Sequence, residues 1–109
     1  MAIVLDAMGS DDCPQPEIEA AIYAAKNLNE NIILVGHKDI ILKHVSESDF
    51  AGLPIEIVHA EDILEVGEKA VKSAQLKPNN SMAVGLRLVK EGKAEAFLTA
   101  GNTGAAMFN

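Results

Sequence analysis

Two short stretches pair small, flexible residues with polar ones where an apolar run ends. One is "AGNTG", Ala100 to Gly104, and the other is "DAMGSDDCP", Asp6 to Pro14. Glycine lets backbone come close to a ligand and permits positive φ, and the free N–H groups at the start of a following helix, with its dipole behind them, attract an anion. Both turns are therefore candidate phosphate cradles. The structural alternative is that Gly101 and Gly104 close a tight strand-to-helix turn with Asn102 or Thr103 as N-cap. Neither turn matches GxxxxGK[ST], and "GNTG" lacks the spacing of GxGxxG, so no nucleoside-triphosphate or dinucleotide fingerprint is present.

Other polar residues carry weaker signals. His37 and His44 could share a helix face, but the i, i+4 spacing of helical zinc ligands is absent, and both read as surface histidines. His59 ends an apolar run in "VHAED", a solvated strand end that could face a site. Cys13 stands beside Asp11 and Asp12, whose charges oppose thiolate formation and argue against a catalytic thiol. Glu61, Asp62, Glu65 and Glu68 read as a solvated helical face, with no convergent partner for a metal.

The elements that must position these turns follow from the apolar pattern. Ala2-Ile3-Val4-Leu5 is an unbroken apolar run ending at Asp6, as expected of a strand buried on both faces. Asn31 to Gly36 repeats it, and Leu53 to Ala60 and Ala94 to Ala100 are further strand candidates. Helical patterns lie between: Pro16 to Leu28, with Ile18, Ala21, Ile22 and Ala25 on one face; His37 to Val45; Glu68 to Gln75; and Ser81 to Lys90. This alternation predicts an α/β fold, a mainly parallel sheet covered on both faces in three layers. In such a sheet ligands bind beyond the C-terminal strand ends, where both glycine turns fall.

Composition sets the boundaries. A chain of 109 residues with 49% apolar and 4% aromatic residues can bury one aliphatic core. The formal charge of −7, from 16 acidic against 9 basic residues, repels polyphosphate, so nucleic acid is not an expected partner. The single cysteine excludes an intrachain disulfide and fits a reducing cytosol. With no signal-like segment and no apolar stretch of membrane-spanning length, the expected location is the cytoplasm.

"VLDAMGSDDCPQPEIEAA", "HAEDILE" and "SMAVGLRLVKEGKAEAFLTAGNTGAAM" closely resemble the N-terminal part of bacterial acyl-(acyl carrier protein):phosphate acyltransferases. Ser10 and Asp12 stand where that family usually has glycine and histidine, and Lys77-Pro78-Asn79-Asn80 where it has basic residues and then D-S-S. The resemblance implies a fold like that of the isocitrate dehydrogenase and phosphotransacetylase group. It also implies that residues 1–109 are the N-terminal part of a single, longer domain, so the helix begun after Gly104 stays unfinished. The implied activity moves a fatty acyl group from an acyl carrier protein thioester to inorganic phosphate, giving acyl phosphate for phospholipid synthesis, with no cofactor and no metal. A phosphotransacetylase-like enzyme acting on acyl-coenzyme A, a non-catalytic anion-binding module and an inert fragment are the alternatives.

Under that resemblance, Asn102 and Thr103 take the catalytic role, their side chains and the N–H groups of Asn102, Thr103 and Gly104 facing phosphate or the oxyanion. Gly9 and Ser10 form the opposing wall, Asp6 orients the loop, and Gly101, Gly104 and Ser81 complete the phosphate and substrate contacts. Expected partners are inorganic phosphate, acyl carrier protein docking outside this chain, a second copy in a homodimer, and a membrane surface contacted peripherally. The chain alone is expected to be inactive.

Overall fold

The computed structural model describes residues 2–10, 12–61 and 79–99. Strands β1 (Ala2–Asp6), β2 (Asn31–Gly36), β3 (Ile55–His59) and β4 (Ala96–Leu98) form one sheet in the order β3-β2-β1-β4. Every pairing is parallel, with Val4 opposite Ile33 and Phe97, and Leu34 opposite Ile57. The parallel α/β arrangement expected from the continuous apolar runs is the one observed. The expected helix Glu68 to Gln75, together with residues 100–109, lies outside the described residues.

Helices α1 (Gln15–Asn27) and α2 (Lys38–His44) and a short 3-10 helix (Glu47–Phe50) connect β1 to β2 and β2 to β3. Side chains alternate across a strand, so β1 and β2 divide their apolar residues between two cores. On one face Leu34, Ile32 and Ala7 pack with Ile18 and Ala21 of α1, Ile41 of α2 and Phe50. On the other, Val4, Ile33 and Val35 pack with Val84, Leu88 and Val89 of α3 (Ser81–Lys90) and with Phe97. Three layers result.

Local chemistry explains the ends of α3. The Asn80 side chain accepts from Ala83 N at 2.8 Å, capping its start. At its finish Gly92 takes φ +80°, a left-handed conformation that spares a Cβ, while Gly92 N and Lys93 N return to Val89 O and Leu88 O. The helix also lies unusually close to the sheet. A Cβ on Gly85 would stand 2.6 Å from Phe97 Cδ1 and 3.2 Å from Val4 Cγ1. Glycine at this position sets the depth at which Ser81, one turn earlier, meets the strand ends. No helix among the described residues is long and apolar enough to cross a membrane.

Candidate functional site

The strand order places the site. The chain steps outward from β1 to β2 to β3, then returns to lay β4 on the other side of β1. The strand order therefore reverses between β1 and β4, and ligands in open α/β sheets bind at the C-terminal strand ends beside such a reversal. Asp6 and Thr99 stand there.

Val4 and Asp6 share a face of β1, and Val4 pairs with Phe97, so the next same-face positions bring Asp6 beside Thr99. Asp6 is 1% exposed. Its Oδ1 accepts from Ser81 Oγ at 2.6 Å and from Met8 N at 2.9 Å, and its Oδ2 accepts from Thr99 Oγ1 at 2.8 Å. A carboxylate removed from water needs such compensation, and the first turn of α3, contributed by Ser81, adds the positive end of a helix dipole. One side chain thus ties together the loop after β1, the start of α3 and the end of β4.

The loop that follows is held at its far end by a second carboxylate. Glu17 lies in the first turn of α1 and is 4% exposed. Its Oε2 accepts from Ser10 N at 3.1 Å, and its Oε1 accepts from Ser10 Oγ at 2.9 Å. Ala7 N donates to Val35 O, and Met8 N to Asp6. Gly9 N–H, in a buried residue, has no acceptor among the described residues. Buried backbone amides are rarely left so.

Of the site residues named from the sequence, Asp6, Gly9, Ser10 and Ser81 fall in one neighbourhood, with Asp6 bonded to Ser81 and both Ser10 donors taken by Glu17. Gly101, Asn102, Thr103 and Gly104 lie outside the described residues. Thr99 and Glu17 went unnoticed in the sequence. A polar residue ending an apolar run was the available signal for Thr99, as it was for Asp6; nothing local marks a first-turn glutamate as buried.

The histidines sit elsewhere on the same edge. His37 does not share a helix with His44: it precedes α2, and its ring meets that of His59 edge-on with centroids 5.0 Å apart. His37 Nδ1 is buried without a hydrogen bond among the described residues, so this residue is not the free surface histidine its sequence context suggests. His59 Nδ1 accepts from Lys38 N at 3.0 Å, capping α2 from a neighbouring strand, and its Nε2 faces Glu61 Oε2 at 2.9 Å. That hydrogen bond, then the charges of His59 and His37, hold the Glu61 carboxyl below its ordinary pKa. Ligand atoms of His37, His59 and Glu61 lie within 4.8 Å of one another, a spacing a divalent cation could close. Yet both ring nitrogens of His59 are already engaged, Nδ1 by Lys38 N–H and Nε2 by Glu61, so the ring has no nitrogen to spare. The geometry is that of a capped helix start.

A groove of about 440 Å³ opens at the opposite end of the sheet, among Ala2, Asn31, Pro54 and Lys93. It is open, and its ionisable lining residues are Glu56 and Lys93.

Comparison with known proteins gives the chain its family. A family model described as fatty acid synthesis protein matches residues 1–109. A phosphate acyltransferase of Koribacter versatilis is 51% identical over 108 residues, covering 98% of this chain and 30% of that protein. Phosphate acyltransferases of Acidobacterium capsulatum and Clostridioides difficile are 48% and 44% identical, covering 96% and 98% of the chain and 32% of each relative. The chain thus spans about a third of the length of these relatives. Matched along its whole length, it belongs to the fatty acid synthesis protein family.

Proposed function

We propose that the intact protein transfers a fatty acyl group from an acyl carrier protein thioester to inorganic phosphate, giving acyl phosphate for phospholipid synthesis. The relatives' shared name, phosphate acyltransferase, supports the reaction class. The observation that carries it to these residues is the N–H of a buried loop residue, Gly9, without an acceptor among the described residues, beside the crevice where the strand order reverses.

The chemistry asks little of acid or base. A phosphate oxygen attacks the thioester carbonyl carbon, a C–O bond forms, and collapse of the oxyanion breaks the C–S bond. The leaving thiolate takes up a proton to become a thiol of pKa about 8.5, a tolerable leaving group near neutrality. Rate then comes from positioning and from stabilising the oxyanion. Gly9 N–H serves the phosphate, with the N–H groups of Asn102, Thr103 and Gly104 and the Thr103 hydroxyl and Asn102 amide completing the shell from the sequence after Thr99. Asp6, whose oxygens already accept from Ser81, Thr99 and Met8, acts as an orienting acceptor rather than a base. Negative charge against phosphate would also be repulsive.

The acidic carrier protein needs a basic surface, which a chain of net charge −7 does not offer. Carrier docking, homodimer contacts and peripheral membrane contact belong to the same proposal and fall to the rest of the protein.

The test is acyl phosphate formation by the intact protein, trapped with hydroxylamine, from acyl carrier protein and acyl-coenzyme A thioesters in parallel. Product from the carrier thioester with inorganic phosphate is the expected result. Preference for coenzyme A moves the assignment to a phosphotransacetylase-like reaction, and no product with either donor removes the reading. Thr103→Val is expected to lower kcat on the order of a hundredfold. An unchanged kcat with a lowered denaturation midpoint would return Thr103 to a capping role.

A further inference from the structure

Glu17 is a buried carboxylate that the acyl-transfer mechanism does not use. It is 4% exposed, and among the described residues no lysine or arginine pairs with it. Helix propensity does not require it to be buried, since an exposed glutamate in the first turn meets the dipole equally well. What burial achieves is contact: both carboxylate oxygens are spent on Ser10, one on its N–H and one on its hydroxyl.

A serine side chain has three staggered positions. Capture by Glu17 selects one. The loop from Ala7 to Ser10 is then fixed at both ends, by Asp6 on Met8 N and by Glu17 on Ser10 N, with Gly9 N–H between them.

We propose that Glu17 is a positioning residue for the anion site, holding Ser10 against α1 so that Gly9 N–H faces an incoming phosphate. This rests on the phosphate-acceptor reading above. The positioning role has a sign that a bare charge does not share. Glu17 as a charge alone repels phosphate, so neutralising it should tighten phosphate binding. As a positioning residue its loss should weaken binding, and most while Ser10 has a side chain to hold, since the Ser10 N–H contact does not depend on that side chain.

The experiment is a double-mutant cycle in the intact protein, reading the KM for inorganic phosphate against kcat. Glu17→Gln is expected to raise that KM about tenfold with Ser10 present, the scale of one charge-assisted hydrogen bond, and by a clearly smaller factor in a Ser10→Gly background, where only the backbone N–H contact remains. A KM that falls in Glu17→Gln, or a penalty equal in both backgrounds, overturns the proposal. Should Glu17→Gln lose its fold, Glu17→Asp carries the same comparison, since it keeps the charge but is one methylene too short to reach Ser10.

A readout independent of turnover separates this inference from the reaction. In protein labelled with ¹⁵N-glycine, titration with inorganic phosphate is expected to shift the Gly9 amide, less in Glu17→Gln and by an intermediate amount in Glu17→Gln/Ser10→Gly. That pattern upholds the positioning role even if no acyl phosphate forms. A Gly9 amide indifferent to phosphate in the unmutated protein overturns it even if acyl phosphate does.

Discussion

At the β1 and β4 ends of the sheet, a carboxylate 1% exposed is satisfied by two hydroxyls and a backbone amide drawn from three different elements. At the β2 and β3 ends of the same edge, the side chains of His59 and Glu61 are 40% and 73% exposed and pair with near neighbours. Both places are polar residues at the ends of apolar strands. What separates them is α3, which lies over β1 and β4 closely enough to seal Asp6 from water and bring Ser81 to it. The difference teaches that a strand-end acid becomes an organising centre when a helix N-terminus covers it, and remains a surface group when none does.

The comparison can be broken most forcefully at Asp6. Asp6→Ala leaves two hydroxyls and an amide without their acceptor and should cost about 3 kcal/mol of stability, read as a lowered midpoint in denaturant. A loss below about 1 kcal/mol would show that water replaces the carboxylate freely and that the two ends differ little.

Next in size is the covering helix itself. Gly85→Ala drives a methyl group into the Phe97 ring, so α3 must rise from the sheet, at about 2 kcal/mol. Hydrogen exchange at the first turn of α3 is expected to rise with it, since Ser81 is carried away from Asp6. Protection unchanged there would separate helix depth from site assembly.

At the exposed end the effects should shrink. His59→Ala removes the acceptor for Lys38 N–H, a helix cap supplied from another strand, and should cost about 1 kcal/mol. Smallest of all is Glu61→Gln, expected to leave the midpoint near pH 7 almost unmoved because the pair is solvated. Its pH dependence has a definite sign. The folded-state pKa of Glu61 is lowered, so its contribution is present above the ordinary carboxylate range and is lost as pH falls through the lowered value. Midpoints of the parent and Glu61→Gln should therefore converge between about pH 5 and about pH 3. A gap that widens on acidification would reverse the assignment.

Much of this architecture was legible before any coordinates. Ile32 to Val35 could only be a strand buried on both faces, and the alanine-rich segment after Pro16 could only be a helix, because apolar period and helix propensity are local properties. The ends of α3 were equally local, with Asn80 before it and Gly92 after it. Asp6 and Gly9 could be singled out as well, since a polar, glycine-containing turn after a buried strand is a sequence pattern with a known place in a parallel sheet.

The pairing of those residues was not local. Asp6 meets Ser81 and Thr99 across separations of 75 and 93 residues, contacts that exist because β4 returns to the far side of β1 and Gly85 lets α3 sit low. Glu17 reads in sequence as an ordinary first-turn acid, and His37 as a surface histidine; tertiary packing buried the first against Ser10 and turned the second toward His59. Sequence determined which segments are strands, helices and turns, because those depend on neighbours along the chain. Which polar groups are shut away from water, and with whom, was decided by the order of the strands and the depth of one helix, because burial depends on what the fold lays on top.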